Sequence, residues 1–174
     1  IETVHLGAQA RSISRAKQGS RDKVILCVST IEPRKNHHTL LEAYNELATD
    51  EAWESDWELH LVGNRYAGSP DLADMVEESS RKNKSIIYHG VVSDEELDLL
   101  YKRASLTVYP SLVEGYGLPI MESLSHGVPV LAHNEGVMLE LAEMHRGITC
   151  IDMRSCTALK EGILNFVKSP EQDR

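Results

Sequence analysis

A glycine-rich turn stands directly before a segment with helical periodicity. Gly115 and Gly117 bracket Tyr116, and the helical segment is predicted to begin at Leu118. Glycine lets the backbone approach a ligand closely and adopt left-handed conformations. Backbone N–H groups at a helix N-terminus bind anions, so we expect those of Gly117 and Leu118 to face a phosphate group.

Two carboxylates accompany this turn. Glu114 lies on the loop, and Glu122 lies about one turn into the helix. Both would repel a phosphate unless they bind another group, and sugar hydroxyls can donate hydrogen bonds to carboxylates. For each residue alone the alternative is a surface acid, with Glu122 facing the helix dipole. Together with the turn, they predict a ligand that carries both phosphate and sugar hydroxyls, namely a nucleotide-sugar.

A second loop, at 30–36, holds two adjacent cations. Arg34 and Lys35 precede a predicted helix, where positive charge opposes the helix dipole. An anionic ligand such as a diphosphate would favour them there. Two alternatives stay open: a solvated basic turn, or a cation pair neutralised by Glu32.

The elements that must position these loops alternate regularly along the chain. Short apolar runs predict six strands, at 24–29, 58–62, 85–89, 106–109, 128–132 and 148–151. Helical spacing predicts helices at about 37–49, 70–82, 94–104, 118–126, 137–144 and 156–168. This alternation predicts βαβ units, and therefore a single Rossmann-like α/β domain with a parallel six-stranded sheet flanked by helices. Ligands bind such sheets beyond the carboxyl ends of the strands, where both loops lie.

Two helix starts carry local signals. Asn36 is expected to cap the helix that begins at His37. Ser93, followed three residues later by Glu96, forms the pattern of a capping box.

Composition excludes several classes of function. The net charge of −9, from 18 Lys and Arg against 27 Asp and Glu, argues against a nucleic-acid partner. No G-x-G-x-x-G fingerprint follows any predicted strand, which disfavours a dehydrogenase. The eight histidines and three cysteines show no metal-ligand spacing, so we expect no metal. Cysteine usage, the lack of a signal peptide and the lack of a long apolar run predict a cytoplasmic protein.

Residues 1–22 stand outside the alternating pattern. They contain a basic, serine-rich stretch and are predicted to form an interdomain connection or arm, with the Rossmann-like domain spanning 23–174. A weaker alternative is contact of the basic stretch with an anionic membrane surface. The chain starts with Ile1, from which we expect a piece of something longer.

The quoted segments resemble a known family. PSLVEGYGLPIMESLSHGVPVL is similar to the E-x7-E signature of retaining glycosyltransferases with the GT-B fold (family 4), and TIEPRKNHHTLLEAY resembles their phosphate-binding loop. HLGA, near the start, resembles the connection between their two domains. The resemblance covers nearly the whole chain. It implies the C-terminal, donor-binding domain of such an enzyme.

The resemblance also implies a role for individual residues. Glu122 would bind the ribose hydroxyls, and Glu114 would contact the donor sugar as a catalytic residue. Arg34 and Lys35 would hold the diphosphate and stabilise it as the leaving group. The remaining positions would contact the nucleotide from turns and strand ends: Tyr116, Gly117, Leu118, Gly63, Asn64, Val91 and Val92.

One departure from the family pattern concerns the cations. Many relatives carry a Gly-Arg pair just after the first strand, where Ser29 and Thr30 stand here. Arg34 is our candidate for the missing cation.

The activity implied is retaining transfer of a hexose from a UDP-glucose-type or GDP-mannose-type donor to a glycan or lipid-linked acceptor. It would need no cofactor and no metal. The acceptor would bind a missing N-terminal domain, so we expect the chain alone to bind nucleotide without efficient catalysis. The full-length protein is expected in the cytoplasm, with the inner face of the membrane as an alternative. Two other functions stay open: a non-catalytic nucleotide-sugar-binding module, or half of a nucleotide-sugar epimerase.

Overall fold

A six-stranded parallel sheet forms the centre of the chain, in the order β3-β2-β1-β4-β5-β6. The computed structural model describes residues 21–169, except 52 and 55. The strands are β1 (Val24–Val28), β2 (Glu58–Val62), β3 (Ile86–Gly90), β4 (Leu106–Tyr109), β5 (Val130–His133) and β6 (Ile148–Ile151). The predicted parallel sheet is therefore confirmed. Most of the predicted arm, 1–22, lies outside the described residues.

Helices connect the strands, and the described residues form six α-helices and one 3-10 turn (Pro33–Lys35). The α-helices are α1 (His37–Leu47), α2 (Pro70–Lys82), α3 (Asp94–Arg103), α4 (Leu118–Ser125), α5 (Val137–Met144) and α6 (Cys156–Lys168). None of these described helices combines the length and the apolar composition needed to cross a bilayer.

Both faces of the sheet are covered by helices. Ile25 and Cys27 of β1 belong to a core cluster shared with α1, α2 and α6, whereas Val24 and Leu26 belong to a cluster shared with α3. This alternation follows from the strand geometry, in which successive side chains point to opposite faces. A third cluster packs α4 and α5 against β4 and β5. Coverage on both sides explains why the strands are almost wholly apolar.

The fifth strand begins later than the sequence indicated. Val128 was predicted to be its first residue, but its N–H donates to the carbonyl of Ser123 at 3.0 Å and so completes the end of α4. Pro129 has no N–H to donate to a ladder, although its carbonyl accepts from Thr107 at 2.9 Å. Regular pairing therefore starts at Val130.

The two predicted caps have different outcomes. The Ser93 capping box is confirmed, with the Glu96 N–H donating to the serine hydroxyl at 3.2 Å and the Ser93 N–H donating to the Glu96 carboxylate at 2.9 Å. The prediction that the Asn36 side chain caps α1 is wrong. Asn36 takes a left-handed conformation, with φ of 55°, and its amide instead donates to the carbonyl of Met153 at 2.8 Å and accepts from the hydroxyl of Thr39 at 2.7 Å.

The order of the strands defines one crevice. From β1 the chain proceeds outward through β2 and β3 on one side, and through β4, β5 and β6 on the other. The carboxyl ends of β1 and β4 are therefore the topological switch point, where ligands of open parallel sheets bind. The loop at 30–36 leaves from β1 and the loop at 110–117 leaves from β4.

Candidate functional site

The two loops at the switch point meet in a cluster of ion pairs around Glu114. Its Oε1 accepts hydrogen bonds from Arg34 Nη1 at 3.0 Å, from Ser111 Oγ at 2.5 Å and from Lys35 Nζ. The backbone joins the same loops, since the Leu112 N–H donates to the Arg34 carbonyl at 2.9 Å. The sequence assigned the cations and Glu114 to separate groups of the ligand. In the structure they neutralise one another.

The two cations occupy different environments. The Lys35 side chain is only 8% exposed, and its Nζ also donates to the Tyr109 hydroxyl at 3.0 Å and lies 5.1 Å from the centre of that ring. The Arg34 side chain is 48% exposed and pairs with both Glu32, at 2.7 Å, and Glu114. The alternative that Glu32 neutralises a cation therefore applies to Arg34. A buried ammonium group must keep its partners, so Lys35 is fixed in place whereas Arg34 is free to exchange them.

Opposing effects set the ionisation of Glu114. Burial alone would raise the pKa of its carboxyl, but hydrogen bonds from Lys35, Ser111 and Tyr109 outweigh burial and hold the pKa below its ordinary value. Burial raises the pKa of the Tyr109 hydroxyl, and the Glu114 charge raises it further. The cluster therefore consists of an ionised carboxylate, a neutral phenol and two cations.

The second carboxylate, Glu122, has quite different surroundings. It lies on α4, and its Oε2 accepts a hydrogen bond from the hydroxyl of Tyr101 on α3 at 3.2 Å. No lysine, arginine or histidine in the described part of the chain forms an ion pair with it, in contrast to Glu114. The E-x7-E pair thus combines one carboxylate that two cations neutralise with one that has no cationic partner among the described residues.

The glycine-rich turn forms the start of α4, as predicted. Gly117 occupies the N-cap position with φ of 74°, and a Cβ at this residue would lie 2.8 Å from a methyl group of Leu141. Leu118, the first helical residue, is half exposed, and Tyr116 is half-buried. The N-terminus of α4 therefore opens at the carboxyl end of the sheet, beside the loop that carries Glu114.

The loops after β2 and β3 contain the other positions implied by the resemblance. A Cβ on Gly63 would lie 1.9 Å from the carbonyl oxygen of Ser29, so the loops after β1 and β2 approach more closely than any side chain allows. Asn64 follows in the same loop. Val91 is exposed after β3, and Val92 packs against the α3 cluster. Gly63 thus has a packing role that the sequence analysis did not foresee.

A buried histidine contacts Ser29, one of the two residues that stand in place of the Gly-Arg pair. Ser29 Oγ lies 3.2 Å from Nε2 of His37, and both residues are buried. Burial and, to a smaller extent, the charge of Lys35 together lower the pKa of His37 to about 4, so the ring is neutral at neutral pH. The sequence placed His37 at a helix start and could not show its burial. Its buried Nδ1 has no hydrogen-bond partner among the described residues.

One group of potential metal ligands was missed by the sequence analysis. Glu42 and Glu46 of α1 and Cys156 of α6 place their ligand atoms within 4.8 Å of one another. Because they lie on two helices, no spacing in the sequence could reveal them. Burial raises the pKa of the Cys156 thiol to about 11, with Glu46 and Glu42 adding to the shift. The thiol is therefore protonated at neutral pH, and both glutamates are exposed.

The sequence matches the family described as Glycosyl transferases group 1 over residues 10–174, and the chain belongs to this family. It is 43% identical over 111 residues to the O-antigen chain mannosyltransferase B of Escherichia coli, covering 63% of this chain and 28% of that protein. It is 28% identical over 177 residues to the MMP alpha-(1->4)-mannosyltransferase of Mycolicibacterium hassiacum, covering 95% of this chain and 40% of that protein. The chain thus spans less than half of each of these relatives.

Solved structures share the fold at low identity. A UDP-forming α,α-trehalose-phosphate synthase from Burkholderia xenovorans superposes with a TM-score of 0.75 at 13% identity, covering 88% of this chain and 38% of that one. The Anabaena protein HepE, in complex with UDP and glucose, superposes with a TM-score of 0.73 at 20% identity, covering 88% and 40% of the two chains. The fold is that of the C-terminal Rossmann-like domain of GT-B glycosyltransferases, as the resemblance implied.

Proposed function

We propose that this chain is the donor-binding domain of a retaining hexosyltransferase and that a nucleoside-diphosphate sugar binds over the ends of β1 and β4. The observation that carries the proposal is the cluster of Arg34, Lys35 and Glu114 at the topological switch point. An open parallel sheet offers this crevice to ligands. Two cations and a helix N-terminus are the groups that a diphosphate requires.

The cations would exchange partners when the donor binds. Arg34 is half exposed and can turn from Glu32 and Glu114 towards the diphosphate. Lys35 would stay in its buried position and keep Tyr109 and Glu114 as partners, and its positive charge would still attract the diphosphate. The N-terminus of α4 adds its dipole at the same edge. These groups would stabilise the charge that develops on the leaving diphosphate, so no metal is needed for that task.

The carboxylates would hold the two sugars of the donor. Arg34, Lys35 and Ser111 all donate to Oε1 of Glu114, and the Tyr109 hydroxyl contributes a further hydrogen bond, so a hydroxyl of the donor sugar would take the acceptor site that Arg34 leaves when it turns to the diphosphate. Glu122, which has no cationic partner among the described residues, would accept from the ribose hydroxyls.

The chemistry proposed is front-face attack with retention, in which the departing phosphate takes the proton of the acceptor hydroxyl. A carboxylate nucleophile is the main alternative. Glu114 is a poor one, because two cations and a hydroxyl already draw on its charge. Glu114 is therefore assigned to binding and orientation.

Mannose is the donor sugar that we propose. The support comes from two relatives in sequence that are named as mannosyltransferases. A GDP-mannose-type donor would then transfer to a glycan or lipid-linked acceptor held by a further domain. A UDP-glucose-type donor is the alternative within the same site.

Isothermal titration of the complete protein with GDP, UDP, GDP-mannose and UDP-glucose tests the proposal. We expect one base to be preferred, and expect Arg34→Ala to weaken diphosphates more than monophosphates. Arg65→Ala is the matched control, because this exposed arginine pairs with Asp74 and Glu77 on α2 instead. If none of the four ligands binds at millimolar concentration, the proposal is wrong.

A second candidate function is a non-catalytic nucleotide-sugar-binding module. The observation in its favour is that Ser29 and Thr30 stand in place of the family's Gly-Arg pair, and that Ser29 contacts a neutral histidine, His37, and not a cation. Binding of a nucleotide-sugar without transfer to any acceptor, measured on the complete protein, would favour this module over the enzyme.

A further inference from the structure

Tyr101 connects the core of the domain to Glu122. The residue is 1% exposed, and its ring packs with Leu100 and Ala104 in the cluster between α3 and the sheet. Its hydroxyl extends towards α4, where it lies 3.2 Å from Glu122 Oε2 and 3.5 Å from the Pro119 carbonyl. A buried tyrosine hydroxyl needs a partner, and here the nearer acceptor is a carboxylate of the proposed site.

His126, the residue directly after α4, contacts the Tyr101 ring. The His126 ring stacks on it, with centroids 4.9 Å apart and an angle of 15° between the planes. His126 is itself fixed at both nitrogens: Nε2 lies 3.0 Å from the Asp98 carboxylate on α3, and Nδ1–H donates to the Glu122 carbonyl at 2.8 Å. The phenol ring is thus clamped between the two helices, so its hydroxyl has little freedom to leave Glu122.

The contact directs the carboxylate without neutralising it. Burial raises the pKa of the Tyr101 hydroxyl, and the nearby charge of Glu122 raises it further, so the phenol stays a neutral donor. Glu114, by contrast, is held by two cations. A neutral donor fixes the direction of the Glu122 oxygens and leaves the full negative charge available to hydroxyl groups of a ligand.

We propose that Tyr101 is a positioning residue, which orients Glu122 towards the ribose diol and thereby sets the preference for ribonucleotides over 2′-deoxyribonucleotides. The inference rests on the proposed ribose role of Glu122. A carboxylate held by one oxygen presents the other in a fixed direction to vicinal hydroxyls. Without the phenol the carboxylate rotates, and both its affinity for the diol and its discrimination fall.

The test compares dissociation constants for GDP and 2′-deoxy-GDP, or for the uridine pair if that base is preferred, on the complete protein. Tyr101→Phe keeps the ring and its stacking and removes only the hydroxyl. We expect the deoxy-to-ribo ratio of dissociation constants to fall by about threefold to tenfold, which is the net value of one typical hydrogen bond. Tyr44→Phe is the matched control: this equally buried tyrosine donates to the Trp57 carbonyl at 2.6 Å, outside the site.

The outcomes distinguish the positioning role of Tyr101 from the ribose-binding role of Glu122 on which it rests. A Glu122→Gln variant should abolish most of the discrimination. If it does and Tyr101→Phe keeps the wild-type ratio, the positioning role is overturned while the ribose role stands. If Glu122→Gln also keeps the ratio, the ribose role fails and the role of Tyr101 fails with it. A fall in the ratio that Tyr44→Phe matches would show general loosening of the fold and would also overturn the inference.

Discussion

The Nζ of Lys35 donates a hydrogen bond to the hydroxyl of Tyr109 at 3.0 Å and thereby joins the loop after β1 to the last residue of β4. Both residues are buried, and the lysine is the central member of the Glu114 cluster. A charged group at this depth holds two adjacent strands together at their carboxyl ends. The proposed donor site and the local stability of the fold therefore depend on the same side chain.

We predict that Lys35→Met lowers the stability of the fold and also weakens binding at the proposed donor site. The methionine fills the space of the lysine stem but leaves Glu114 half-buried with one cation instead of two. The loss should be about 1–3 kcal/mol in the free energy of unfolding, together with weaker binding of nucleoside diphosphates. Chemical denaturation and titration calorimetry measure the two effects.

Lys82→Met is the control for Lys35→Met, since that lysine forms an exposed pair with Glu78 on α2. Such exposed pairs contribute little to stability, so we expect no measurable change in the free energy of unfolding. Equal losses in the two variants would contradict the central role of Lys35.

The sheet could be predicted from the sequence, whereas the pairing within the site could not. Each strand is recognisable in the sequence as an apolar run, because helices cover both faces of the sheet. This pattern lies within a few consecutive residues. Lys35 and Glu114 are separated by 79 positions and meet only after β1 and β4 become neighbours. The sequence analysis assigned them to different groups of one ligand from their chemistry alone. No pattern in the nearby sequence indicated that they would form an ion pair with each other. The sequence also contained no indication that Tyr101 contacts Glu122, because Tyr101 has the pattern of an ordinary core residue of α3.

Backbone conformation was equally hidden at Asn36. Its left-handed φ of 55° sets the turn between Lys35 and the start of α1. The hydrogen bond from its side-chain amide to the Met153 carbonyl holds Asn36 in this conformation. Both Asn36→Gly and Asn36→Ala lose the side-chain hydrogen bonds of Asn36, but only alanine is strained in the left-handed conformation. We therefore predict that Asn36→Gly destabilises the protein less than Asn36→Ala. The difference should be about 1 kcal/mol in denaturant unfolding. A more stable alanine variant would contradict it.

Gly63→Ala should be among the most damaging single-methyl additions in the chain. The new Cβ would lie 1.9 Å from the Ser29 carbonyl oxygen, and φ of 150° is unfavourable for a side chain. Since the obstacle is backbone, the loops after β1 and β2 must separate, and we expect a loss of about 2–4 kcal/mol. Gly115→Ala is the control, because a Cβ there meets no atom within 4 Å. Thermal unfolding of both variants checks the contrast.

The buried His37 predicts how stability depends on pH. Its folded-state pKa of about 4 lies below the ordinary value of 6.5, so between these values the unfolded chain binds a proton that the folded chain does not. Acidification through this window therefore favours unfolding. From about pH 7 to about pH 5, the loss attributable to this one residue should be about 2 kcal/mol.

A His37→Gln variant isolates this effect, because the amide can still hydrogen-bond to Ser29 but does not titrate. We expect its free energy of unfolding to fall less than that of the wild type over the same pH range. Burial also lowers the pKa of His89, but that contribution is common to both proteins and cancels in the comparison. The lowered pKa of Glu114 acts only at lower pH, as the carboxyl becomes protonated. Parallel curves for wild type and His37→Gln would show that His37 is not held neutral by the fold.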